Sequence, residues 1–268
     1  MTRPAPTLRQ WLTERPFSLA LSSGFFGFFA HAAVVTVLED EGLLPCRLSG
    51  SSAGALVAGA WAAGVEGAQL SQELLRLRRE DFWDPSPGLG LLRGELFRAR
   101  LAALLPVHAF EACRIPLSVS VYDVFSAKTR VLDRGPLAPA VQASCTVPFL
   151  FHPRWLEGRP VLDGGIADRP GVAGLLPGTR VLHHHLASRS PWRSASSAAL
   201  QPPRRTSLCA LVIDELPRVG PFRLGQGRLA FELARAATRR ALGRPVRDGI
   251  VRVSATQPPT SGLAAGDG

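Results

Sequence analysis

From Phe17 to Leu38 the chain runs for 22 residues without a charged side chain, and Ser22, Ser23, Gly24, Gly27 and His31 interrupt the run. A bilayer-spanning helix needs about 20 apolar residues, so the length alone would allow one. The internal serines and glycines favour a different reading, in which a buried strand ("FSLALSS") enters a tight turn and leaves as a helix over 28–42. That helix closes near Gly42, with Glu39, Asp40 and Glu41 at its wet end. A dinucleotide-binding loop needs a glycine at position 22 and an acid after a second strand; the chain has Ser22, and its acids fall in the helix end.

The same alternation continues. "CRLSG" reads as a second strand and "SAGALVAGAWAAG" as a small-residue helix closed by Gly64. Helices are expected over 67–80 and 92–105 on either side of the turn-rich "DPSPGLG", and again over 136–144. "IPLSVSVYDV", "KTRVLDRG", "TVPFLFHP", "RPVLDGG", "TRVLHHHL" and "SLCALVI" read as extended segments. A last helix is expected over 225–242, with Leu229, Leu233, Ala237 and Ala241 as its apolar stripe and Arg228, Arg235 and Arg239 on another face. Strands alternating with helices predict an α/β fold with a mostly parallel sheet covered on both faces. Residues 17–254 form the expected domain, 1–16 an N-terminal extension, and 255–268 a flexible tail. Within the domain, the Ser-, Pro- and Arg-rich stretch 187–206 reads as an exposed loop or lid.

With 268 residues, 46% of them hydrophobic and 19% charged, the chain can bury a sizeable core, which excludes disordered and fibrous classes. Its net charge of +10 is lopsided: residues 136–268 hold 17 Lys/Arg against 8 acids, and residues 1–135 hold 14 against 13. Lys128 is the only lysine. This arginine excess suits peripheral contact with an anionic membrane surface. No interleaving of basic and aromatic residues suggests nucleic acid. Cys46, Cys113, Cys145 and Cys209 are scattered, without a Cys-x-x-Cys, so neither a metal site nor a disulfide framework is expected. The opening "MTRPAPTLRQWLTERPF" has no apolar core of a secretory signal, so a cytoplasmic location is expected.

The chemistry concentrates at Gly50-Ser51-Ser52-Ala53-Gly54, a Gly-x-Ser-x-Gly pattern between a strand and a helix, as a nucleophile elbow requires. Ser52 would be the nucleophile, with the backbone N–H of Ala53 aimed at developing negative charge. A serine needs a base. The last histidines, His183, His184 and His185, lie in or at the end of a strand, and an elbow as early as residue 52 suits a Ser-His-Asp hydrolase badly. The alternative base is an acid in a glycine turn: Asp163, in Asp163-Gly164-Gly165, could accept the proton if burial raises its pKa from about 3.9. Asp123 and Asp168 are its rivals.

A glycine-containing loop after the first strand, Gly-x-Ser-x-Gly after the second, "ASCTVPFLFHP" and then Asp-Gly-Gly, in that order over roughly residues 17–170, resemble the patatin-like phospholipase family. The resemblance implies a three-layer α/β/α fold and a Ser52–Asp163 dyad that cleaves ester bonds of lipids without metal or cofactor. It also implies that Ala143 to Pro148 shape the site and that Gly24 and Phe25, in a loop closed by Gly27, supply oxyanion-hole N–H groups beside Ala53. The family commonly has glycine where this chain has Ser22. That departure supports an alternative expectation, a catalytically silent lipid- or membrane-binding protein of the same fold. The phenylalanines Phe25, Phe26, Phe28 and Phe29 are expected in the core, one or two of them lining an acyl pocket.

Overall fold

The computed structural model describes residues 4–187 and 201–257. Most of the expected loop or lid, 188–200, and most of the tail, 258–268, lie outside the described residues.

A short helix, α1 (Leu8–Glu14), opens the chain. The Thr7 hydroxyl accepts from the Gln10 N–H while the Gln10 side chain accepts from the Thr7 N–H, a reciprocal cap that starts the helix. Leu8 and Leu12 are buried, Thr7 bridges to Pro245, and the Arg180 guanidinium stacks 4.0 Å from the centre of the Trp11 ring. Part of the stretch read as an extension is therefore docked on the domain.

The uncharged run becomes strand β1 (Ser18–Leu21), a loop, and helix α2 (Phe28–Asp40). Every α2 residue from Phe28 to Leu38 is buried, which is why the helix carries no polar face. Its 13 residues span about 20 Å, short of a bilayer core. Among the described residues no helix is long and apolar enough to cross a membrane.

Next come β2 (Arg47–Ser51), α3 (Ala53–Ala62), α4 (Gly67–Leu75), β3 (Gly90–Leu92), α5 (Glu95–Leu104), β4 (Leu117–Asp123), β5 (Lys128–Leu132) and α6 (Leu137–Ser144). The chain continues through β6 (Phe149–Phe151), β7 (Arg154–Leu156), β8 (Arg159–Asp163), β9 (Val181–His185), β10 (Leu208–Asp214), α7 (Gln226–Leu242) and β11 (Ile250–Ser254). The main sheet runs β11-β10-β9-β1-β2-β4 with every neighbouring pair parallel, and ends in antiparallel β8 and β7. Strand β5 pairs antiparallel with β4 over Val119–Asp123 and so occupies one edge of it from Val119 onward. The other edge is shared end to end: β2 covers it up to Ser120, and β8 takes over from Val121.

Strand alternation sorts the core. Leu19, Leu21, Leu48, Leu182, Leu211 and Val251 join the large cluster with α2, α3 and α7, while Ala20, Val181, Ala210 and Val212 form a smaller cluster with Val172 and Leu175 on the opposite face. Helix α7 corrects the expected stripe. Leu229 is half exposed, and the buried face is Gly227, Ala230, Phe231, Ala234, Ala237, Thr238 and Ala241. Small residues let α7 approach α2 closely: a methyl group on Gly227 would lie 2.4 Å from a ring carbon of Phe29. Helix α4 stops at Leu75 instead of 80, and the expected start of α5 at 92 falls in β3.

Candidate active site

The edge shared by β2 and β8 builds the site. Ser51 pairs with Ser120 and Asp163 with Val121, so consecutive residues of β4 hold the two strand ends tip to tip. Ser52 follows β2 with φ 54 and ψ −121, the strained turn of an elbow. Two glycines make that turn passable: a methyl group on Gly50 would meet the Gly54 carbonyl carbon at 2.6 Å, and one on Gly54 would meet the Leu21 carbonyl oxygen at 2.1 Å.

The Ser52 hydroxyl donates to Asp163 Oδ2 at 2.6 Å, and both residues are buried. Asp163 Oδ1 accepts from the Gly165 N–H at 2.8 Å, which fixes the carboxylate plane. Asp163-Gly164-Gly165 needs its glycines for close approach: a methyl group at Gly164 would lie 2.0 Å from the Ser120 carbonyl oxygen, and one at Gly165 would lie 2.1 Å from Ser23 Oγ. The segment 143–148 braces both partners. Ser144 Oγ accepts from the Ser52 N–H at 2.8 Å and donates to the Ser120 carbonyl at 2.7 Å. The Cys145 thiol, whose pKa burial raises well above its usual value, donates to the Ser52 carbonyl at 3.2 Å, and the Asp163 N–H donates to the Thr146 carbonyl at 2.9 Å.

The rival acids are occupied elsewhere. Asp123 takes Arg159, at 2.9 Å through Nη2, and the Ser126 N–H; the arginine first, then that N–H, hold its carboxyl well below the usual range. Asp168 accepts from the Ser120 hydroxyl at 2.6 Å and from the N–H groups of Gly171, Val172 and Ala173, stapling the loop after β8. His183 bonds the Pro170 carbonyl and His184 bonds His31; among the described residues no histidine lines a cavity at Ser52.

Two cavities meet at Ser52. One, of about 120 Å³, is apolar and lined by Phe26, Phe28, Leu56, Phe82, Leu101 and Phe151. The other, of about 870 Å³, also touches Asp163, Gly165, Arg169, Glu215 and Arg218. Gly24 and Phe25 border both, and Ala53 borders the first. The Ser52 N–H is committed to Ser144, whereas the N–H groups of Gly24, Phe25 and Ala53 meet no acceptor among the described residues. In the loop after β1 it is Phe26, at φ 55, that takes the left-handed conformation. Phe25 is 45% exposed, so it is no core aromatic; Phe28 and Phe29 are buried. Ser22 is also buried, and its hydroxyl accepts from the Leu186 N–H at 2.9 Å.

Ser120 and Ser144 have no signature in the sequence, because hydroxyls whose partners are brought near by folding carry no spacing pattern. His31 and His184 were partly readable, since strand alternation puts His184 on the same face as Leu182, toward α2.

The mostly parallel α/β sheet, with the turn after β2 hydrogen-bonded to the end of β8, is the patatin fold. The chain belongs to the patatin-like phospholipase family, whose sequence pattern matches residues 19–176. An uncharacterized NTE family protein of Mycobacterium tuberculosis (strain ATCC 25618 / H37Rv) is 34% identical over 170 residues, 62% of this chain and 47% of that one. A Mycobacterium bovis protein described in the same way matches to the same extent. The chain thus spans about half the length of the curated relatives it matches. Among solved structures, VipD from Legionella pneumophila shares the fold at a TM-score of 0.50 and 16% identity, over 85% of this chain and 66% of that chain.

Proposed function

We propose that the protein is a serine acyl hydrolase that cleaves ester bonds of lipids through Ser52, Asp163 and an acyl-enzyme. The observation that carries this reading is the 2.6 Å hydrogen bond from Ser52 Oγ to Asp163 Oδ2 where the two cavities meet. Ser52 Oγ attacks the ester carbonyl carbon as its proton passes to Asp163 Oδ2. The oxyanion forms against the N–H groups of Gly24, Phe25 and Ala53. When the tetrahedral intermediate collapses, the C–O bond to the alcohol breaks and Asp163 returns the proton to the leaving oxygen. A water then enters, gives a proton to Asp163 and releases the fatty acid, and Ser52 takes the proton back. The apolar cavity suits the acyl chain, and the larger, more polar one suits the alcohol side.

The rim supports peripheral contact with an anionic membrane surface. Phe25, Phe149 and Ile166 border the larger cavity at 45%, 81% and 37% exposure, beside exposed Arg218. A fluorophosphonate probe and a lipid-class turnover screen test the reading together. Covalent labelling of Ser52, lost in Ser52→Ala along with ester turnover, is expected. A folded parent that binds vesicles but neither labels nor turns over would instead make it a silent lipid-binding protein.

A further inference from the structure

The loop that carries the Gly24 and Phe25 N–H groups begins at Ser22, and Ser22 is gripped on three sides. Its N–H donates to the His184 carbonyl at 3.3 Å, its hydroxyl accepts from Leu186 N–H at 2.9 Å, and its carbonyl is met by His31 Nε2 at 2.7 Å. His31 Nδ1 in turn lies 2.8 Å from His184 Nδ1, with the two rings edge to face. These contacts close a circuit from the Ser22 carbonyl through the His31 and His184 rings to the His184 backbone and back to the Ser22 N–H. Both rings are fully buried. We infer that His31 and His184 are positioning residues that set the oxyanion loop through the Ser22 carbonyl, with a single arrangement of protons along the circuit. This inference rests on the reading of Ser52 as the nucleophile.

The proton arrangement follows from donor and acceptor chemistry. A carbonyl only accepts, so His31 carries its proton on Nε2. A neutral His31 then presents a bare lone pair at Nδ1, so His184 must carry its proton on Nδ1 and leave Nε2 bare. His184 Nε2 is buried without a hydrogen-bond partner among the described residues, which suits a lone pair better than an N–H. Burial keeps the pair neutral: desolvation lowers the His31 pKa to about 4 against the upward pull of the Ser22 carbonyl, and it takes that of His184 well below its usual value, with His31, His183 and His185 adding to the lowering. Removing the Ser22 contact lets the loop drift, and a shift of about 1 Å remote from the chemistry costs about 10²-fold in rate.

Two near-isosteric substitutions separate positioning from packing. In His31→Gln the side-chain amide N–H can stand where Nε2 stood and reach the Ser22 carbonyl. In His31→Asn an amide can stand only where Nδ1 stood, so the carbonyl loses its donor. With a soluble ester, kcat is expected to stay within about 3-fold of the parent in the glutamine variant and to fall about 10- to 100-fold in the asparagine variant, with KM little changed in both. Fluorophosphonate labelling rates should follow kcat. Nitrogen-15 spectra of the histidine rings in the parent should place the proton of His31 on Nε2 and that of His184 on Nδ1. Equal rates in the two variants, or a His31 proton on Nδ1, would overturn the inference. If neither variant folds, the spectrum decides alone. A reactive parent with equal variants sinks only the positioning role, whereas an unreactive parent sinks the reading of Ser52 and this role with it.

Discussion

The turn after β2 is held by backbone packed on backbone: Gly50 touches Gly54, and Gly54 touches the Leu21 carbonyl, with no room for a side chain. The turn after β1 is held by side chains, namely His31, His184 and the hydroxyl of Ser22, and its glycines serve a neighbour. Methyl groups on Gly24 and Gly27 would strike the Leu186 side chain at 2.4 and 2.1 Å. The first kind of turn tolerates almost no change at its glycines, and its polar support, from the Ser144 hydroxyl and the Cys145 thiol, reaches only the backbone of Ser52. The second tolerates a changed residue, such as Ser22, because several hydrogen bonds share the task of aiming it.

Asp163 touches both turns, through Ser52 at one oxygen and through Gly165 beside Ser23 at the other, so its loss gives the largest expected effect. Asp163→Asn should lower ester turnover by about 10³- to 10⁴-fold with the fold intact by circular dichroism. Turnover near the parent level would remove Asp163 from the proposed mechanism. Next, Gly54→Ala should cost about 3 kcal/mol in denaturant unfolding, because the added carbon meets rigid backbone. Gly24→Ala and Gly27→Ala should cost less, since Leu186 can change rotamer; equal losses would erase the contrast between the turns.

Acid should attack the side-chain-built turn. His31 and His183, with pKa values lowered to about 4 and about 3 chiefly by burial, are neutral in the folded protein down to those values. The unfolded chain takes up protons below about pH 6.5, so it binds more protons than the folded chain in that window. Stability contributed by these rings is therefore complete above about pH 6.5 and is lost as pH falls toward 4, at up to about 1.4 kcal/mol per unit per histidine. Thermal melts at pH 7.5 and 5 should show the loss, and His31→Gln should reduce it; an unchanged slope in the variant would contradict the assignment. The smallest effect is expected from Ser22→Gly, which restores the residue common in the family and loses one hydrogen bond, for about 1 kcal/mol of stability.

Much of the fold was legible because its elements announce themselves by period and punctuation: the uncharged run with its serines and glycines, the small-residue helix closed by Gly64, and the alternation of strand and helix. Strands β7 and β11 and helix α1 escaped notice, being three, five and seven residues long with mixed polarity. The α7 stripe holds at Leu233, Ala237 and Ala241 and fails at Leu229, because close approach to α2 selects small residues such as Gly227 and Ala230. In the candidate site, the elbow and the Asp-Gly-Gly turn could be read because glycines there are forced by contact distances. The serines behind them could not, since their partners are backbone atoms brought near only by folding, and the histidine pair could be read only as far as strand alternation turns His184 toward α2.

Ser52 and Asp163 are 111 residues apart in sequence, yet their strand ends are set by two adjacent residues of β4. Of the intervening elements, the segment 143–148 braces the two ends, and the other helices, hairpins and loops contribute cavity walls. In the proposed hydrolase, whatever varies in those walls can retune the choice of substrate while Ser52 and Asp163 stay in register. A slip of β8 by one residue would put Leu162 where Asp163 stands and send the carboxylate to the other face. Specificity is thus free to drift by small steps in this architecture, whereas the chemistry can only be kept or lost whole.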